Sequence, residues 1–238
     1  MSKRREAETT IQRALGVLRA GGVCVLEDGQ DNADLVLPAD GVDGAGINFL
    51  ALHGRGLICL ALTSDAVARL GLPPMARGWD NPKCAYTVSI EAKHGITTGI
   101  SARERAHTVR VAVDPTSGPA DLVVPGHIFP VRVQTGGLLA GGGRAEAALE
   151  LVELARAGTA AVFTQVLDSR GDLARLSESR ELFARLGLPI VERNDLVEFL
   201  EARRGHEDLV GAAAGELRGW KGRGAWTKGT VGSREVAP

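Results

Sequence analysis

The 238-residue sequence lacks an excess of charge of either sign: 28 Lys and Arg face 29 Asp and Glu, for a formal net charge of −1. That balance excludes a strongly basic nucleic-acid binder and a polyacidic solvating chain as default readings. It lacks any apolar run long enough to span a bilayer, and its first residues, MSKRREAE, lack the apolar centre of a signal peptide. The expectation is a soluble cytoplasmic protein with no membrane partner. It has little cysteine. Cys24, Cys59 and Cys84 form no CxxC pair, which argues against a disulfide framework or a thiolate zinc site. Cys24 and Cys59 each sit inside an apolar run, where packing in a core is the expected role. Aromatics are also scarce, with 5 Phe, 3 Trp and 1 Tyr. What is present, 44% hydrophobic residues over this length, supports a sizeable core and excludes disorder throughout.

Composition divides the chain unevenly. Residues 203–238 hold 8 of the 31 glycines, Trp220 and Trp226, and 7 Lys/Arg against 4 Asp/Glu, a net of +3. Residues 1–202 therefore carry 21 against 25, a net of −4. We expect one folded domain over 1–202 and a flexible or loosely docked basic tail over 203–238. Two tryptophans do not make a stacking platform, so nucleic acid is not an expected partner.

Within the first 202 residues, helical and extended patterns alternate. Ile11, Leu15 and Leu18 mark a helix that ends at Gly21–Gly22. GVCVLE and GLICLAL (56–62) read as buried strands. A short helix over 65–70 follows Ser64, and 86–90 reads as a strand. Ser101 is placed to cap a helix beginning near Ala102. Further expectations are a helix over 146–157, a strand over 160–166, and helices over 181–186 and 195–202. Such mixing implies a single α/β (α+β) domain, a sheet covered by helices.

Four stretches carry chemistry. EDGQDNAD places Glu27, Asp28, Asp31, Asn32 and Asp34 just after a strand, where carboxylates suit a hard cation or acid–base work, or simply build a solvated turn. HGITTGISARERAHT offers the hydroxyls of Thr97, Thr98 and Ser101 ahead of a capped helix, with Arg103 and Arg105 adding charge, a pattern suited to an anion or to a tight turn. GGLLAGGGRAEAALEL leads five glycines, among them Gly142 and Gly143, into a helix with Arg144 at its start. It has neither a Walker ending nor the dinucleotide GxGxxG spacing. PGHIFPV holds His127 between prolines, as a rigid structural residue or as a ligand.

Taken in order, INFLALHGRGLIC, RLGLPPM, YTVSIEAKHGITTGISARERAHT, PGHIFPV and GGLLAGGGRAEA resemble the 3,4-dihydroxy-2-butanone-4-phosphate synthase family of riboflavin biosynthesis, over about residues 8–202. The resemblance implies a single α/β domain, a homodimer with sites near the subunit interface, and a lyase reaction. That reaction converts ribulose 5-phosphate into dihydroxybutanone phosphate and formate, with Mg²⁺. It also implies a catalytic set of Asp31, Asp34, Cys59, His127 and Gln165. The implied substrate set is Asp28, Thr97, Thr98, Ser101, Arg105, Gly142, Gly143, Arg144 and Glu146.

The sequence departs from the family pattern where that chemistry lives. The acidic loop usually reads DDEDRENEGD; here the loop arginine becomes Gln30, the metal-binding glutamate becomes Asp31, and one acidic position collapses into Ala33 while Asp34 survives. In RxGHTEA the Arg, His and Thr positions become Gly141, Arg144 and Ala145, with Glu146 and Ala147 continuing the pattern. The later Cys-Glu becomes Thr164-Gln165. The family's metal positions thus correspond to Asp31 and Arg144, and a guanidinium repels Mg²⁺ rather than ligating it. The expectation is a diverged enzyme acting on a small anionic substrate, phosphate or carboxylate, without a metal cofactor. In it Arg144 pairs with Asp31 or holds the substrate. Two alternatives stand beside it: the ordinary family reaction in a rearranged site, with Mg²⁺ if that reaction is retained, and a non-catalytic binding or scaffold protein.

Overall fold

A computed structural model describes residues 2–75 and 85–205, of which those up to Leu200 belong to one compact unit. Cys84 and the basic tail beyond 205 lie outside the described residues. In chain order the elements are α1 (Lys3–Arg19), β1 (Cys24–Glu27), β2 (Ala33–Pro38), α2 (Gly44–His53), β3 (Cys59–Leu62), α3 (Ser64–Arg69) and β4 (Ile90–Ala92). These are followed by α4 (Ala102–Val113), β5 (Leu122–Arg132), α5 (Arg144–Leu154), β6 (Ala161–Gln165), α6 (Leu176–Arg185) and β7 (Ile190–Glu192). A last helix, α7, runs over 193–205.

The strands form one mixed sheet in the order β4-β5-β3-β6-β2-β1-β7. Among the described residues only β1–β7 and β3–β5 pair in parallel. Both faces are covered. On one face α2, α3, α4 and α6 pack Ile47, Leu50, Val67, Val109 and Phe183 against Leu35, Leu60 and Val162. On the other, α1, α5 and α7 pack Leu15, Leu151 and Leu196 against Cys24, Val36, Cys59 and Phe163. This is the α/β class expected from the alternating patterns. Because both faces of β2 are covered, all six of its residues are buried and its sequence shows no polar alternation.

Helix α1 buries Ile11, Ala14, Leu15 and Leu18, one stripe at helical spacing. It stops where Gly21 takes a left-handed φ of 76°, and the Gly22 N–H returns to the Val17 carbonyl at 2.9 Å. Some boundaries differ from those expected. Helix α3 takes in Ser64, and Thr63 caps it by accepting the Ala66 N–H. The strand expected over 86–90 is instead 90–92; Tyr86 and Thr87 make only isolated bridges, to Val131 and Pro74. Strand β2 and helix α2 were not anticipated. The α2 helix begins with Gly44 and Gly46, poor helix formers, but a Cβ on Gly44 would lie 3.2 Å from the Arg103 Cα. The close crossing of α2 over α4 therefore selects glycine there. PGHIFPV lies inside β5 despite its prolines, and the Pro130 carbonyl accepts the Thr87 N–H at 3.0 Å.

Candidate active site

The acidic stretch forms the turn of the β1–β2 hairpin and carries β2 into the middle of the sheet. Asp28 builds that turn: Oδ1 accepts the N–H groups of Gln30 and Asn32 at 2.9 and 3.2 Å, and Oδ2 accepts from the Asn32 side chain at 2.9 Å. Of the two uses open to this stretch, Asp28 serves the turn, with both carboxylate oxygens engaged. Asp31, held at a φ of 64°, points to α6. Its carboxylate accepts the Ser177 N–H at 3.0 Å and the Ser177 hydroxyl at 2.8 Å. Those hydrogen bonds, with help from the Arg175 and Arg180 charges, hold its carboxyl below the usual range.

Asp34 is the site's buried charge. It sits on β2 with Gln165 of β6 as its cross-strand partner. It shares the α5-covered face with Val36, because side chains two apart on a strand point the same way. Arg144, the first residue of α5, reaches down to Asp34 Oδ1 at 3.3 Å. The expected pairing of Arg144 with Asp31 is thus corrected: the hairpin turns Asp31 outward, and Asp34 is the carboxylate beneath the helix start. Asp34 is 1% exposed and its Oδ2 has no hydrogen-bond partner. Burial pushes its carboxyl up from 3.8 to about 6; the Arg144 charge opposes that shift and the Asp28 charge adds to it. A single long contact to a partly solvated guanidinium does not offset the lost hydration. Cys59, on β3 and facing the same layer, is buried with its Sγ 3.6 Å from the Tyr86 hydroxyl.

The glycine-rich stretch is shaped by Glu146. Its carboxylate accepts the Gln134 N–H and the Gly143 N–H, each at 2.8 Å, and it is 8% exposed. The N–H of Gly143, a member of the implied substrate set, is therefore engaged, and Glu146 acts as a clamp on the loop. Gly142 packs so tightly that a Cβ would meet Glu146 and the Gly137 carbonyl, while its own carbonyl accepts from Arg193 at 2.9 Å.

A second cluster gathers at the β4–β5 edge, separated from β6 and β2 by β3. Ser101 caps α4 through the Glu104 N–H at 3.2 Å and donates its hydroxyl to Glu104 at 3.0 Å. Thr97 donates both its N–H and its hydroxyl to Glu104, at 2.6 and 2.7 Å. These donors hold the Glu104 carboxyl at about 2, so the anion-binding hydroxyls inferred for Thr97 and Ser101 are occupied internally. Thr98 is exposed. Behind the loop lies Glu91, 4% exposed, a residue that the sequence reading passed over. It binds His127 at Nδ1, 2.7 Å, and at the backbone N–H, 3.1 Å, and accepts the Thr108 hydroxyl at 3.0 Å. The only sequence signal was a charge inside the apolar YTVSIEA run. Arg105 is half-buried, with its Nε unpartnered and the Glu91 charge nearby.

A family profile described as 3,4-dihydroxy-2-butanone 4-phosphate synthase matches residues 12–199. The chain belongs to the 3,4-dihydroxy-2-butanone 4-phosphate synthase family. A synthase of that name from Histophilus somni is 36% identical over 201 residues, covering 83% of this chain and 94% of the relative. The Riboflavin biosynthesis protein RibBA of Aquifex aeolicus is 38% identical over 220 residues, covering 90% of this chain and 54% of the relative. The chain thus spans about half the length of some curated relatives and nearly all of others. A crystal structure of a family synthase in complex with two magnesium ions superposes with a TM-score of 0.77 at 32% identity, covering 82% of this chain and 98% of the other.

The magnesium in that relative raises the question of whether the donors present here suit the ion. Among the described residues no group of three or more His, Cys, Asp or Glu side chains is placed to hold a metal. Of the two positions corresponding to the family's metal ligands, Asp31 is engaged by Ser177. Arg144 offers only N–H donors and a fixed positive charge. Mg²⁺ keeps several waters and is held through one or two carboxylates; Arg144 offers it no oxygen, and Asp34 is the carboxylate here with an oxygen left uncommitted. Among the described residues, no helix is long and apolar enough to cross a membrane.

Proposed function

We propose that the chain is a lyase carrying out its family's reaction, ribulose 5-phosphate to dihydroxybutanone phosphate and formate, with the charges of its own side chains. Identities of 36–39% to curated synthases support this reading. The observation that carries it is Asp34: a buried carboxyl, raised to about 6, with one oxygen uncommitted and a guanidinium at 3.3 Å. A carboxyl tuned toward neutrality can both take and return a proton, which enolisation of a ketose requires. Arg144 supplies fixed positive charge where an enediolate oxygen would develop. Gln165, beside Asp34, offers an amide to a substrate hydroxyl. The substrate is a small phosphorylated molecule, and the assembly a homodimer, to be checked by light scattering.

A second reading, the same fold acting on a different small anion, is favoured by Glu104, whose charge occupies the hydroxyls of the threonine loop. One experiment separates the two. Formate is quantified from ribulose 5-phosphate with added Mg²⁺ and, in parallel, with a chelator. Release in both conditions, lost in Asp34→Asn, supports the lyase reading. No release in either condition rejects it in favour of the second.

A further inference from the structure

We infer that Glu91 is a positioning residue that fixes His127 with its proton on Nδ1 and presents the Nε2 lone pair as a proton acceptor at the β4–β5 edge. The inference rests on the lyase reading for its chemistry and on geometry alone for its placement. Glu91 is fully committed: Oε2 takes Nδ1 and the backbone N–H of His127 at 2.7 and 3.1 Å. Its Oε1 takes the Thr108 hydroxyl at 3.0 Å, while the Thr108 oxygen in turn accepts the Ala92 N–H at 3.1 Å. Strand β4, strand β5 and helix α4 are thereby pinned to one carboxylate. The threonine loop closes on the same group, because a Cβ on Gly99 would fall on the Glu91 carboxylate.

A carboxylate accepts only, so the ring nitrogen facing it must be the protonated one. His127 keeps 44% of its side chain exposed, and Nε2 makes no hydrogen bond among the described residues. This is the base-and-orienter pairing in which a buried acid sets the tautomer of a histidine that does the transfer. Glu91 from β4 faces it, and the charge of Arg105 from α4 acts on Glu91. In the step assigned to it, a substrate C–H bond next to the carbonyl breaks and its proton passes to Nε2. The C–H pair forms the enediolate double bond, and the carbonyl π pair moves to oxygen. Glu91 then balances the imidazolium until the proton is returned.

Histidine-selective ¹⁵N correlation spectra of the full chain read the tautomer directly, whether or not the protein turns over. The wild type should show His127 protonated at Nδ1 and bare at Nε2, and Glu91→Ala should move the proton to Nε2. In the formate assay, Glu91→Gln keeps an acceptor but removes the charge. It should lower kcat on the order of tenfold to a hundredfold with KM nearly unchanged. Glu91→Gln combined with His127→Gln should be no slower than His127→Gln alone. A wild-type Nε2–H tautomer, a tautomer unchanged in Glu91→Ala, or losses that multiply in the double variant would overturn the inference. If the wild type releases no formate, the lyase reading fails, and the spectra alone decide the role of Glu91.

Discussion

Replacing Asp34 with asparagine should stabilise the protein at neutral pH and change it little in acid. The carboxyl is 1% exposed, one oxygen is unpartnered, and its pKa rises from 3.8 to about 6. The folded chain therefore binds this proton more tightly than the unfolded chain. Stability falls as pH rises between those two values and stays low above them. A shift of roughly two units, at ~1.4 kcal/mol per unit, sets the full penalty near ~3 kcal/mol. Asparagine keeps the shape and removes the charge, and Arg144, 29% exposed, can turn to water. In urea unfolding, Asp34→Asn should exceed the wild type by ~2–3 kcal/mol around pH 8 and by under ~1 kcal/mol around pH 4. In a chain of this size the difference around pH 8 is ~5–10 °C in Tm. An asparagine variant less stable than the wild type by the same amount at both pH values would refute the reasoning. It would mean that the Arg144 contact fully offsets the burial of the charge. A stability gain with loss of formate release would be the signature of a group kept for chemistry.

Two further outcomes follow from the loop clamps. Glu146→Ala strands the Gln134 and Gly143 N–H groups, each bonded at 2.8 Å, and should cost ~2–4 kcal/mol. Calorimetry would measure the loss, and hydrogen exchange should show it concentrated over 134–143. Glu104, held at about 2 by Thr97 and Ser101, has a depressed pKa. Its support for the threonine loop is complete above the ordinary value of 4.5 and is lost as pH falls toward 2. Amide exchange at Thr97 should accelerate across that acidic interval in the wild type, while Glu104→Gln should be fast and pH-insensitive there once intrinsic rates are divided out.

Much of the frame was legible in the chain because local rules carry it. The stripe of Ile11, Leu15 and Leu18, the Gly21 stop and the Ser101 cap each act within one or two turns, and each stands in the fold as expected. The motif order from INFLALHG to GGGRAEA named the family that the comparisons confirm. Elements whose reasons lie elsewhere in the fold were not legible. β2 is buried throughout because helices cover both faces, and a side chain at Gly44 would crowd α4, which passes over it.

The site divides in the same way. Sequence by itself determined which residue types were present: a guanidinium at position 144, an amide at 165, a shortened acidic loop. Only the tertiary structure decided their partners. Hairpin geometry turned Asp31 toward Ser177 and left Asp34 under Arg144. The pairing of β4 with β5 joined Glu91 to His127 across 36 residues. Hydrogen bonds and desolvation act over a few ångströms, and only folding brings residues so far apart in sequence within that range.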